Sequence, residues 1–503
     1  MATLTTRANG PGPAIQLPHA LAIGFTGHRS LGDEAKCRKA ILGFLERRKS
    51  LASGLLYGVS SIAAGGDLLF AESCVQLGLP LRVLLPLQVE EFQKDFDDAN
   101  WARAKEILGQ AASVEVTGEN QSREECYYEC GIETVHQSRL LLALWDGRPS
   151  QGLGGAEDVV SFARGTDKPV VWLHSATGDV RIFNEKGDAE LLADRELEFL
   201  NHLPDPHAPG ETNQPEDLAR EWLRKVDASA TRFAPQFRRL AAIPIIFTAT
   251  AALFSGAGSW AHGVETWLLV GTALGLLAAG LPLALRLRKR QVLWVRTRTA
   301  AEVGRSVLAF WSAPTPCEAI GPEVVPELSG VLMSLNLLKM LDRGRREASL
   351  GEFKQRYRRE RVASQIQYFS EHAAQSATEA RWYRSVFWTC AGLGSLINVW
   401  LVANAHLSWS FGPGPWKQWL ALGTSIAFQV ATVAGALLAI NDCDRRRQRY
   451  RELHQQLGKW DAQLEASRTW PSVLRVAGQM ERALLAELIE WRSLIRNPKP
   501  VGK

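Results

Sequence analysis

LAIGFTGHR, residues 21–29, is a short apolar run that breaks into a glycine turn, then a hydroxyl, an imidazole and a guanidinium. A run this short, bounded by turn residues, predicts a strand buried on both faces of a parallel sheet. Four further runs share the pattern: Leu55–Val59, Leu81–Leu85, Leu140–Trp145 and Val170–Leu173, with Arg82 the one charged exception. Helical segments separate them. Such a βαβ series predicts an α/β, Rossmann-like, doubly wound parallel sheet over residues 18–178, with ligands bound at the carboxyl ends of its strands.

Three strand ends carry candidate binding residues. At the first, Gly24, Thr26, Gly27, His28 and Arg29 form a glycine turn whose backbone can approach an anion, while the planar fork of Arg29 matches phosphate. The bland alternative is a tight turn with exposed polar groups. At the second, Ser60 and Ser61 lead through Gly65 and Gly66 to Asp67 and a helix predicted over Leu68–Leu77. Glycines at a helix N-terminus present N–H donors to phosphate, and the helix dipole adds to the attraction. Asp67 either caps that helix or holds a ribose hydroxyl. At the third, Asp146 and Gly147 precede Gly154, Gly155, Glu157 and Asp158, then a helix through Arg164.

Together these loops point to a pocket for a nucleotide or phosphorylated nucleoside. None of them holds the Gly-Lys-Ser/Thr of a P-loop or a dinucleotide fingerprint. If the pocket is catalytic, Glu157 and Asp158 are the acid/base candidates; acidic residues also favour helix N-termini for dipole reasons alone. No metal site is expected. Cys126 and Cys130 stand four apart on a predicted helix without a second Cys/His pair, and the 7 scattered cysteines read as reduced thiols.

The second half differs. Four long uncharged stretches, at 240–260, 267–285, 385–405 and 418–441, each reach the roughly 20 residues that a helix needs to cross a bilayer. The connections at 259–266 and 405–416 carry no Lys or Arg. The other flanks are basic, as in Arg286, Arg288, Lys289 and Arg290, or Arg445, Arg446, Arg447 and Arg449. This asymmetry predicts two hairpins entering the membrane from the cytoplasm, with both termini inside. Trp260, Trp267, Trp409 and Trp416 would mark the far interface. The net charge of +5 is thus juxtamembrane, not a nucleic-acid footprint.

No ionisable residue interrupts these stretches, which argues against an ion-coupled carrier. Gly271 and Gly275 form a small-xxx-small pair, a feature of close helix packing and homo-oligomers. Amphipathic helices flank the hairpins: Val362, Ile366 and Phe369 share a face, as do Met480, Leu484, Leu488, Trp491 and Ile495. The domain reading is a disordered tail at 1–17 lacking a signal-type apolar core, the sheet domain at 18–178 and a linker at 179–215. Two-span units at 216–345 and 346–498 follow.

IGFTGHR, SSIAAGGD and ALWDG…GGAEDVVSFAR together resemble the SLOG superfamily, a Rossmann-like group that spans the LOG phosphoribohydrolases and DprA-like proteins. The remainder is similar in architecture to the SLATT two-transmembrane effector domain, here in tandem, with YRRERVASQIQYF and ERALLAELIEW among its flanking helices. The resemblance implies a bacterial antiviral-defence effector, multi-pass in the inner (plasma) membrane. Its SLOG domain would bind a nucleotide-derived or cyclic-nucleotide-type signal, supplied by a partner enzyme, with no cofactor required. The SLATT helices would then form an oligomeric, ion-conducting pore or disrupt the bilayer. Enzymatic LOG proteins carry PGGxGTxxE with a catalytic glutamate. Leu153–Asp158 lacks its proline, third glycine and threonine, so binding is expected ahead of hydrolysis. The alternatives are a membrane-tethered nucleotide N-glycosidase acting through Glu157 or Asp158, and a membrane-anchored assembly scaffold.

Overall fold

A computed structural model of the chain describes residues 15–51, 55–118, 122–150, 152–176, 180–183, 194–205, 214–258, 264–280, 285–315, 317, 320–321, 324–342, 349–406 and 416–496. Of the tail expected at 1–17, residues 1–14 lie outside them, whereas Ile15 and Leu17 are described and buried; 259–263 and 407–415 of the hairpin connections, with Trp260 and Trp409, also lie outside. Two compact units emerge: Met1–Val226 with Ala300–Ser349, and Asp227–Thr299 with Leu350–Lys503.

Among the described residues, the first unit holds a sheet of seven strands, β1 Ala20–Gly27, β2 Leu55–Ser60, β3 Leu81–Leu85, β4 Ser113–Val116, β5 Leu140–Trp145, β6 Val170–His174 and β7 Val180–Phe183. Their order is β4-β3-β2-β1-β5-β6-β7, parallel throughout except for the antiparallel β7. The helices between them are α1 Glu34–Leu51, α2 Gly66–Gln76, the short α3 Val89–Phe92, α4 Asp98–Gln110, α5 Arg123–His136 and α6 Ala156–Gly165.

Alternation of side chains along each strand divides the core between two faces. Ile23, Phe25, Leu142 and Leu144 pack on one face with Ile41 of α1, Phe70 of α2 and Ile107 of α4. On the other, Leu141 and Ala143 meet Val159 and Val160 of α6. The five apolar runs are strands as predicted. β4 is an addition, and it explains Arg82: this buried guanidinium pairs with Glu115 of β4 at 2.6 Å. A strand of the form Ser-Val-Glu-Val shows no apolar run, because its charge answers the neighbouring strand.

The stretch 179–215, expected as a linker, contains β7 and α7 Arg195–Asn201. A larger difference lies further on. The boundary drawn at 216–345 assigned α11 Ser329–Leu341 to the first hairpin, but Met333, Leu337 and Met340 pack with Ala22, Tyr57 and Val59 on the sheet. They cover apolar surface that the βαβ crossovers leave open.

The second unit is helical. Its elements are α8 Pro215–Gly258 (which starts among residues of the first unit), α9 Val264–Gly280, α10 Leu285–Ala309, α12 Leu350–Tyr357, α13 Ala363–His406, α14 Trp416–Ile440, α15 Cys443–Ala466 and α16 Trp470–Arg496. A π-helical turn, Arg358–Val362, joins α12 to α13. Beside it, buried Arg361 meets buried Glu481 of α16 through two hydrogen bonds of 2.9 and 2.8 Å, and Tyr357 donates to the same carboxylate at 2.8 Å. Met480, Leu484 and Leu488 form the buried face expected of α16; the side chains of Trp491 and Ile495 lie outside the description.

α13 and α14 pack antiparallel, Gly394 against Phe428 and Gly435 against Phe387. Among the described residues, two helical stretches are long and apolar enough to cross a membrane, Leu350–Asn404 and Trp419–Ala466. Only 6% and 18% of their apolar windows are buried, whereas a core helix of that composition would be covered. The expected count of four spans is thus met by two. At the first hairpin α8 and α9 are helical, but the described apolar stretch is the shorter Pro244–Phe254, and many flanking side chains lie outside the description.

Candidate functional site

The strand order dictates where the site sits. From β1 the chain works outward through β2, β3 and β4, then returns to place β5 against the other side of β1. A doubly wound sheet places its ligand crevice at such a reversal, at the strands' carboxyl ends. Gly27 ends β1 level with Leu144 of β5, and the next N–H, from His28, donates to the Leu144 carbonyl at 3.1 Å.

His28 and Asp146, 118 residues apart in sequence, meet there. The Asp146 N–H donates to His28 Nε2 at 3.0 Å, and Asp146 Oδ1 lies 2.9 Å from the same nitrogen. A nitrogen that accepts an N–H carries no proton, so a neutral His28 in this arrangement holds its proton on Nδ1. Protonating Nε2 would let it donate to the Asp146 carboxylate instead, so the two contacts exclude each other. Burial pushes the Asp146 carboxyl up, but the Arg148 N–H and His28 outweigh it and leave the group below its ordinary range. Both side chains remain about 30% exposed, open to a ligand.

Asp67 has the opposite environment. It is 5% exposed, accepts the Ser61 hydroxyl at 2.9 Å and the Ser60 hydroxyl at 3.4 Å, and is hydrogen-bonded by the Gly27 backbone. Burial pushes its pKa up to about 7, against the pull of those hydrogen bonds and of nearby Arg29. It does not cap α2, whose N-cap is Gly65. Its carboxylate instead ties the start of α2 to the ends of β1 and β2.

Gly65 explains itself by close approach. Its φ is +95°, and a Cβ there would stand 2.2 Å from the Arg29 carbonyl oxygen. Gly66 donates its N–H to the His28 carbonyl at 2.9 Å, and Leu68 and Leu69 donate to Ala63 and Gly65. The glycine pair therefore builds the crevice wall, and these donors are spent internally. Gly24 lies inside β1, where a Cβ would fall 2.7 Å from Ser138 Oγ. Thr26 is half-buried on the same strand.

The third loop uses its acidic residues locally. Asp158 Oδ2 accepts the N–H groups of Gly154 and Gly155 at 2.9 and 3.1 Å, closing the start of α6, and Glu157 accepts the Ser161 hydroxyl at 2.7 Å. Gly154, at φ +89°, runs against the backbone of Tyr128 in α5. Gly147 packs beside Trp172. One residue from Tyr128, the Tyr127 ring carries the exposed Arg29 guanidinium 4.8 Å from its centroid.

Tyr127 is a residue that sequence reasoning missed. Its hydroxyl donates to Asp95, which also pairs with Arg123 at 2.6 Å. The readable signal was the capping box Ser122–Glu125, which fixes the start of α5 and so the height of Tyr127. The arrangement offers an exposed guanidinium on an aromatic ring, an imidazole able to change hydrogen-bond sense, and a buried carboxyl poised near neutrality. The guanidinium and the ring can hold an anionic, planar small molecule beside the imidazole, while the enclosed carboxyl braces the loop that presents them.

No protein-family model and no curated protein matches the chain. What its fold defines is a class: a Rossmann-like parallel sheet with a switch point between β1 and β5, in one chain with a helical unit bearing two exposed apolar helices.

Proposed function

We propose that the chain is a nucleotide-responsive membrane effector. A nucleotide-derived or cyclic-nucleotide-type signal binds in the crevice between β1 and β5, and the hairpins, four spans in all, assemble into a pore or disrupt the bilayer. The resemblance to SLOG and SLATT domains, and with it a role in bacterial antiviral defence, belongs to this reading. One observation carries it: exposed Arg29 and half-buried His28 and Asp146 stand together at the switch point of the sheet, in the same chain as an uncovered apolar hairpin.

Local use of Glu157 and Asp158 at the start of α6 supports binding ahead of N-glycoside hydrolysis. The full chain in liposomes loaded with an ionic dye, challenged with a panel of mono-, di- and cyclic nucleotides, tests the proposal. Dye release by one chemical class, reduced about tenfold or more by Arg29→Glu, is expected. Silence across the panel would overturn it, and release of free base on incubation would favour the enzyme.

A further inference from the structure

The second hairpin has two unlike flanks. On α14, buried Ala431 and Ala434, with Phe428 and Gly435, face α13. Advancing about 100° per residue places Ser425, Gln429 and Thr432 along one flank and Trp419, Ile426 and Val430 along the other. On α13, where Phe387 and Gly394 face α14, the same step sets Ser395 and Asn398 on one flank, with exposed Val402 about one turn further along it, and Leu393, Leu396 and Trp400 on the other. Both helices are right-handed and they run in opposite directions, so the polar flanks fall on the same side of the hairpin. The Gly394–Phe428 contact brings Ser395 level with Gln429, and Asn398 level with Ser425, to within about one turn.

The result is a polar patch halfway along the apolar stretches. Ser395, Asn398, Ser425 and Thr432 are exposed and Gln429 is half-buried. The Thr432 hydroxyl donates back to the Phe428 carbonyl at 2.9 Å; the side chains of the other four make no hydrogen bond among the described residues. Hydrocarbon offers such groups no partner, and two amides at mid-bilayer depth are costly to leave unpaired. The opposite flank, with Trp419 at 69%, Leu396 at 69% and Leu393 at 53% exposure, suits lipid tails.

We infer that the patch is covered by the same patch of further copies of this chain, so that an oligomer turns Ser395, Asn398, Ser425 and Gln429 towards its interior. Primary amides donate and accept at once, so identical patches are complementary to one another. This inference rests on the membrane reading above and names the hairpin face that such an assembly buries.

The test uses the full chain in bacterial membranes, in a Cys390→Ala background, because the other six cysteines are all buried. Gln429→Cys and Ile426→Cys are oxidised separately. Gln429→Cys is expected to give a disulfide-linked pair of twice the chain mass, with a yield about tenfold above Ile426→Cys. As a second measurement, amine cross-linking of Asn398→Leu/Gln429→Leu is expected to leave monomer where the parent gives oligomer, with Ile426→Ala unchanged. Equal yields from the two cysteines, cross-links to a different protein, or an oligomer that survives the double substitution would overturn the inference. Loss of the parent chain from carbonate-washed membranes would instead overturn the membrane reading.

Discussion

At the scale of single residues, the crevice is organised by two aspartates that burial treats differently. Asp146 keeps about a third of its side chain in solvent and stays ionised beside His28, whereas Asp67 is enclosed and holds its proton up to about pH 7. An unfolded chain releases that proton near about pH 4. The folded state therefore binds the extra proton between those values, and the Asp67 contribution to stability is present below about pH 4 and lost as pH rises through about 7. Asp67→Asn keeps an oxygen for Ser61 and cannot ionise. Its melting temperature, relative to the parent's, is expected to rise steadily from about pH 5 to about pH 8, a relative gain on the order of 2 kcal/mol. Thermal melts of both proteins across that range check this, and parallel curves would mean that Asp67 does not titrate there. The same aspartate shows what residue reading could reach. Its place after Gly65-Gly66 marked it as part of a loop with a purpose, but its bond to Gly27 depends on β1 and β2 lying side by side. His28 and Asp146 pair for the same kind of reason, since only the strand order joins residues 118 apart.

At the scale of elements, α11 decides the integrity of the sheet. Leu337 is fully buried against β1 and β2 side chains, far from them in sequence. Leu337→Ala removes three buried carbons and leaves a cavity, at a cost of about 2–5 kcal/mol. The loss should appear in the transition of the sheet unit, followed by exchange protection of β1 amides, while protection in α15 and α16 stays unchanged. Loss of protection confined to α15 and α16 would return α11 to the helical unit, where the sequence boundary had put it. An apolar segment such as Val331–Leu338 does not say which surface receives it, and the sequence boundary had no other signal to place it by. β1, β2, β3, β5 and β6 were legible because burial on both faces writes itself as a continuous apolar run. β4 was illegible because its Glu115 is meaningful only opposite Arg82. The third glycine loop was legible as a helix entrance, and Asp158 proves to be one of the groups that closes that entrance.

At the scale of the whole molecule, the proposed sensor and the proposed effector must share free energy if one is to drive the other. α8 and α10 each contain residues of both compact units, so the chain runs from one unit into the other within continuous helices. If ligand binding favours the assembled hairpins, assembly must favour ligand binding by the same factor, because linkage between two sites is reciprocal. Part of the intrinsic affinity for the nucleotide is then spent on rearranging the hairpins. Exchanging the apolar stretches of α13 and α14 for an unrelated pair of spans removes that cost and leaves the crevice intact. The exchanged protein should therefore bind the nucleotide more tightly than the parent, by about fivefold or more for a coupling in the usual range, and release no dye. A scaffold whose hairpin merely anchors it would bind with unchanged affinity. Isothermal titration of parent and exchanged protein in the same detergent, beside the liposome assay, separates these outcomes. Unchanged affinity with release abolished would locate the hairpin in the pore but deny it any energetic connection to the crevice.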